Sequence, residues 1–128
     1  MSRKKILVVE DETVQLTLVA KRLKAAGYDV VGARDGISAI STARKEQPDL
    51  VLLDLGIPGG DGFVVMQRLQ TLLSTTTIPI VVASSHDPAQ NEEASKRAGA
   101  IAFLQKPVDF EKLLKVIAES IGTPEPSP

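Results

Sequence analysis

The chain has 128 residues, 43% hydrophobic and 24% charged, with a formal net charge of −1. This balance fits a single globular domain with no disordered or membrane character. With three Phe, one Tyr and no Trp it offers nucleic acid neither overall charge attraction nor much stacking surface. The absence of cysteine excludes disulfides, thiolate zinc sites and cysteine nucleophiles.

Short apolar runs alternate five times with helix-spaced segments, the signature of a βα repeat. Lys5–Val9 is predicted as the first strand. Its apolar core meets Glu10-Asp11 too soon for a signal peptide, so a cytoplasmic location is expected. Leu16, Val19, Ala20 and Leu23 then follow the i, i+3, i+4, i+7 spacing of a helix face, which Gly27 closes. Tyr28–Ala33 is the second strand. Asp35-Gly36 reads as a turn before a helix over Gly36–Glu46, with Ile37, Ile40 and Ala43 on its inner face and Pro48 preventing continuation. The third strand, Leu50–Leu53, delivers Asp54 to its end.

A glycine-rich loop, Gly56 to Gly62, leads into a helix predicted over Phe63–Leu73, and Ser74–Thr77 reads as an exposed connection. Ile80–Ala83 is the fourth strand. Asp87-Pro88 looks like an N-cap and first helical position, opening a polar helix to Ala98 that Gly99 closes. That helix offers only alanines as an apolar face, so packing should hold it weakly. Ile101–Leu104 is the fifth strand. Asp109 caps a last helix carrying Phe110, Leu113, Leu114 and Ile117, and residues 123–128 read as a Pro-rich tail or the start of a linker after a domain over 1–122. Right-handed crossovers place the parallel strands in one doubly wound α/β sheet with helices on both faces.

In such a sheet, ligands bind beyond the carboxyl ends of the strands. Those ends bring together Glu10-Asp11, Asp54, Ser84-Ser85 and Lys106-Pro107. Three clustered carboxylates repel one another, and a hard divalent cation such as Mg²⁺ is the natural neutraliser, with the Gly56 carbonyl as a further ligand. Asp54 could then attack phosphorus, with Lys106 pairing to one phosphoryl oxygen and a serine hydroxyl donating to another. Simpler roles exist for each residue. Asp54 could cap its loop, Glu10-Asp11 could be the acidic start of a helix, Lys106 could be solvated, and either serine could bond locally, although Pro79 and the strand length point to Ser84. His86, the only histidine, reads as a surface residue, and Asp61 as a turn or cap.

The set Leu7-Val8-Val9-Glu10-Asp11-Glu12, Asp54 to Gly62, Ala98-Gly99-Ala100 and Lys106-Pro107 resembles the receiver domain of two-component response regulators, from Lys4 to about Gly122. The resemblance implies a flavodoxin-like five-stranded sheet of order 2-1-3-4-5, with Mg²⁺ held by Glu10, Asp11, Asp54 and the Gly56 carbonyl. It implies phosphotransfer to Asp54 from a histidine kinase or phosphotransfer protein, with no enzymatic turnover beyond the domain's own phosphorylation and autodephosphorylation. Ser84 and Phe103 fall at its switch positions. The face made by the fourth helix, fifth strand and fifth helix would then change its affinity for a downstream protein partner, a second copy being one candidate, with no direct contact to nucleic acid or membrane. The chain departs from the common pattern where Gly56, beside the acceptor, and Gly60 replace bulkier residues, and where Phe103 lacks the hydroxyl of a tyrosine. The rival enzyme class, a haloacid-dehalogenase-like phosphatase, needs a second acid two residues after the nucleophile, where Gly56 stands.

Overall fold

The structure, a computed structural model, describes residues 3–57, 62–85 and 88–123. The strands are β1 (Lys5–Val9), β2 (Asp29–Ala33), β3 (Leu50–Asp54), β4 (Ile80–Ser84) and β5 (Ala102–Gln105). The helices are α1 (Thr13–Ala25), α2 (Gly36–Glu46), α3 (Gly62–Thr71), α4 (Pro88–Arg97) and α5 (Phe110–Ile121). The strands are all parallel, in the expected order β2-β1-β3-β4-β5. Strands with helices on both faces are apolar throughout rather than alternating. β1, β3 and β4 are accordingly buried nearly end to end.

Successive side chains of a strand point to opposite faces, and they divide the core in two. Leu7, Val9, Val51, Leu53 and Val82 pack with Ala39 and Ala43 of α2 and Val65, Met66 and Leu69 of α3. Ile6, Val8, Leu52 and Val81 pack on the other face with Leu23 of α1 and Leu113 and Ile117 of α5. The glycine-rich loop enters α3 at Gly62, where an added Cβ would lie 2.6 Å from the Leu55 Cα and where the backbone N–H donates to the Leu55 carbonyl at 2.8 Å. Only a residue without a side chain fits that approach.

Several local expectations change. α2 spans the predicted residues, but its buried side is Gly36, Ala39 and Ala43, while Ile37 is 75% exposed. Small residues let the helix approach the sheet closely, and this turns the bulkier Ile37 outward. Asp35 is the N-cap of α2, its side chain accepting from the Ser38 N–H at 2.8 Å. α3 ends at Thr71 rather than Leu73, and Thr75 in the supposedly exposed connection is fully buried, its Oγ1 donating to the Leu69 carbonyl at 2.5 Å. β5 begins one residue later than expected, leaving Ile101 exposed. Tyr28 precedes β2 rather than belonging to it, and is buried. Gly27 and Gly99 follow their helices at positive φ, as the C′ reading requires. His86, Asp61, Gly60, the Asp87 cap and residues 124–128 lie outside the described residues.

Candidate functional site

β1 and β3 are adjacent and in register, with Val9 opposite Leu53, so the residues that follow them, Glu10-Asp11 and Asp54, meet at one edge. One oxygen from each of Glu10, Asp11 and Asp54 falls within 4.8 Å of the others. Glu10 is buried, its backbone N–H donating to the Ala33 carbonyl at 3.0 Å. Asp54 Oδ1 accepts from the Gly56 N–H at 3.0 Å, which fixes the carboxylate over the start of the loop.

Lys106 reaches this cluster from the end of β5. Its backbone N–H donates to the Ser84 carbonyl at 2.8 Å, and the Lys106–Pro107 peptide is cis. Nζ donates to Glu10 Oε1, to Asp54 Oδ2 at 3.2 Å and to Gln15 Oε1 at 3.0 Å. Burial lifts Glu10 above its ordinary value despite its bond to Lys106, and the charge of Asp54 adds to the lift. Burial alone would lower Lys106, but the Glu10 hydrogen bond and the Asp54 charge outweigh it and hold the ammonium above its ordinary value. The two shifts describe one arrangement: a stabilised cation among acids whose negative charge it does not fully balance.

A cleft of about 660 Å³ opens over these groups and runs past Pro107 to Leu18, Arg22 and Phe110. Arg22 stacks over the Phe110 ring at 4.1 Å from its centroid. The two serines separate here, Ser85 being exposed and lining the cleft and Ser84 fully buried at the end of β4. Phe103, within β5, is buried in the core.

Two participants were not foreseen. Gln15 lies one helical turn after Asp11, in α1, and its Nε2 also donates to Glu12 Oε2 at 2.9 Å. Arg34 follows β2 and donates to the Asp11 carbonyl from Nε at 3.3 Å and Nη2 at 3.2 Å. The i+4 spacing signalled the first, and the neighbouring of β2 and β1 in the predicted strand order signalled the second.

This fold with acids at its carboxyl edge defines a phosphoacceptor-type signalling domain, and comparison with known proteins identifies the family. Residues 6–118 match the response regulator receiver domain. The chain is 35% identical over 113 residues to Protein PilH of Pseudomonas aeruginosa, covering 88% of this chain and 93% of that protein. It is 39% identical over 110 residues to the DNA-binding dual master transcriptional regulator RpaA of Synechocystis, covering 86% of this chain but 46% of that protein. Among solved structures, the receiver domain of the sensor histidine kinase PA1611 from Pseudomonas aeruginosa, with a magnesium ion coordinated in its active-site cleft, superposes with a TM-score of 0.85 at 27% identity, covering 96% of this chain and all of that one. The chain belongs to the receiver domain family of two-component response regulators. It is a signalling domain rather than a classical enzyme, and no helix among the described residues is long and apolar enough to cross a membrane.

Proposed function

We propose that Asp54 is the phosphoryl acceptor, taking the group from a phosphohistidine of a histidine kinase or phosphotransfer protein. The observation that carries this reading is the placing of Lys106 Nζ 3.2 Å from Asp54 Oδ2, within a cluster of three carboxylates. An Asp54 carboxylate oxygen attacks phosphorus. The O–P bond forms as the P–N bond of the donor breaks, and the leaving imidazole takes a proton from solvent. Lys106 pairs with a phosphoryl oxygen, for which its hydrogen-bond donors and held charge suit it. Ser84 is assigned the hydroxyl that meets another phosphoryl oxygen, with Phe103 as the ring that responds. The Lys106 N–H bond to the Ser84 carbonyl, at 2.8 Å, sets Ser84 beside Lys106 at the end of β4 and supports its assignment, and Phe103 lies in the neighbouring β5.

The donor set fits a hard cation. It is all oxygen, carries more negative charge than Lys106 neutralises, and includes a carboxyl group that burial has already pushed up. Glu10, Asp11, Asp54 and the Gly56 carbonyl would hold Mg²⁺. When bound, the ion would offset charge on the phosphoryl oxygens.

The same reading takes residues 1–122 as the receiver unit and 123–128 as a tail or linker start, in the cytoplasm. Its output is contact with a downstream protein, a second copy included, through α4, β5 and α5, without direct binding to nucleic acid or membrane. Its only hydrolysis is that of its own acyl phosphate, since Gly56 provides no second acid for turnover on external phosphomonoesters. To test the acceptor, the protein is incubated with Mg²⁺ and acetyl phosphate and weighed by mass spectrometry. A gain of one phosphoryl group that Asp54→Ala abolishes is expected. No gain, or a gain that survives the substitution, overturns the reading.

A further inference from the structure

Gln15 is half-buried in the first turn of α1, and each end of its amide is committed to a different partner. Nε2 donates to Glu12 Oε2 at 2.9 Å, and Oε1 accepts from Lys106 Nζ at 3.0 Å. A carboxylate only accepts and an ammonium only donates, so this pair of neighbours permits one orientation of the amide. Glu12 thereby turns the Gln15 oxygen toward Lys106.

An ammonium has three N–H donors. Those of Lys106 meet Glu10 Oε1, Asp54 Oδ2 and Gln15 Oε1, so none remains for solvent. Two of the three acceptors belong to the chemistry of the site, because Glu10 and Asp54 are the acids that would hold a cation and Asp54 becomes the acyl phosphate. Gln15 is the acceptor that this chemistry leaves in place. Its neutrality matters as well: an acidic residue would add a fourth carboxylate to a cluster already short of positive charge.

We propose that Gln15 is a positioning residue that holds the Lys106 ammonium over the site while Glu10 and Asp54 turn to cation and phosphoryl group. The proposal rests on the acceptor reading given above. It acts through Lys106 and assigns Gln15 no contact with the phosphoryl group. The bland alternative is a solvated amide whose two bonds have no effect beyond the surface.

The test uses Gln15→Met, which keeps the side-chain length and removes the acceptor, and Gln15→Glu, which restores an acceptor oxygen but adds the fourth carboxylate and so bears on the Lys106 signal alone, not on the rate. The first readout is the ¹⁵Nζ signal of Lys106 in Mg²⁺-loaded protein, assigned by its loss in Lys106→Met. It reports directly on how fast the ammonium protons exchange with water. The expected result is a sharp signal in the unsubstituted protein, a signal broadened away in Gln15→Met, and its return in Gln15→Glu. The second readout is the initial rate of phosphorylation by acetyl phosphate, expected to fall about threefold to tenfold in Gln15→Met, the net worth of one ordinary hydrogen bond. A retained Lys106 signal in Gln15→Met, or a rate within twofold of the unsubstituted protein, overturns the proposal. Failure of the unsubstituted protein to take up phosphate overturns the acceptor reading instead, and the Lys106 signal in metal-free protein then decides the role of Gln15 by itself.

Discussion

Replacing Lys106 with Met removes the one cation bonded to carboxylates of the cluster among the described residues while keeping a stem of similar length. Taking one partner from a buried pair costs about 3–5 kcal/mol. The Lys106, Glu10 and Asp54 side chains are 19%, 8% and 15% exposed and face an open cleft, so screening reduces the figure to about 2 kcal/mol. For a domain of this size that is a fall of about 8 °C in Tm, measured in EDTA at neutral pH. The pH dependence has a definite sign. Burial raises Glu10, so its contribution to folding is present at low pH and lost as pH rises through that raised value. Without Lys106 the raise grows, so the deficit of the variant is largest at neutral pH and shrinks as the solution is acidified into the carboxylate range. Added Mg²⁺ should shrink it too, because the carboxylates left unneutralised in the variant gain more from the ion than those already paired with Lys106 in the unsubstituted protein. Thermal unfolding of both proteins at neutral and acidic pH, with and without Mg²⁺, checks all three statements. A deficit of the same size at every pH would refute the electrostatic argument and point to lost packing of the lysine stem.

The remaining predictions concern the scaffold. Thr75→Val keeps the shape of a fully buried side chain but leaves the Leu69 carbonyl without its 2.5 Å donor, and should cost about 1–2 kcal/mol in urea unfolding. Asp35→Ala removes the cap of α2. The Ser38 N–H holds Asp35 below its ordinary value, so the capping contribution is present above that ordinary value and lost as pH falls through the lowered one. The stability difference between Asp35→Ala and the unsubstituted protein should therefore be seen at neutral pH and close on acidification.

The strands were legible because burial on both sheet faces demands continuous apolar runs, and Ile6–Val9, Val51–Leu53 and Ile80–Ala83 have no other reading. The acids and Lys106 were legible because strand ends in a parallel sheet share one edge, so sequence position alone brings Glu10, Asp11, Asp54 and Lys106 together. What failed to show was whatever depends on size or on a third dimension. Periodicity weighs Ile37 above Ala39, but the closeness of α2 to the sheet selects the alanine. A Ser/Thr run looks solvated until one hydroxyl finds a buried carbonyl, as Thr75 does. Arg34 stays hidden because it meets the backbone carbonyl of Asp11 rather than a carboxylate, a contact that no pattern of side-chain types signals.

The bonding of Lys106 links the site to the face expected to carry its output. With all three N–H groups occupied, Lys106 can meet a phosphoryl oxygen only by giving up an existing acceptor. Conversion of Asp54 to the proposed acyl phosphate would move the negative charge from the carboxylate to the phosphoryl oxygens, so the Asp54 bond is the natural one to exchange. The exchange moves a side chain whose backbone N–H is tied to the Ser84 carbonyl, at the point where β4 and β5 pair. The next element along the chain from Ser84, α4, is lightly held. Among its described side chains only Ser95 is fully buried, and the Ser95 hydroxyl bonds within the helix, to the Asn91 carbonyl at 2.6 Å, rather than to the sheet. A segment with little apolar burial shifts at low cost. A small displacement at the β4 and β5 ends is therefore enough to bias α4, whereas α2, α3 and α5, each with at least two side chains locked in the core, should stay where they are.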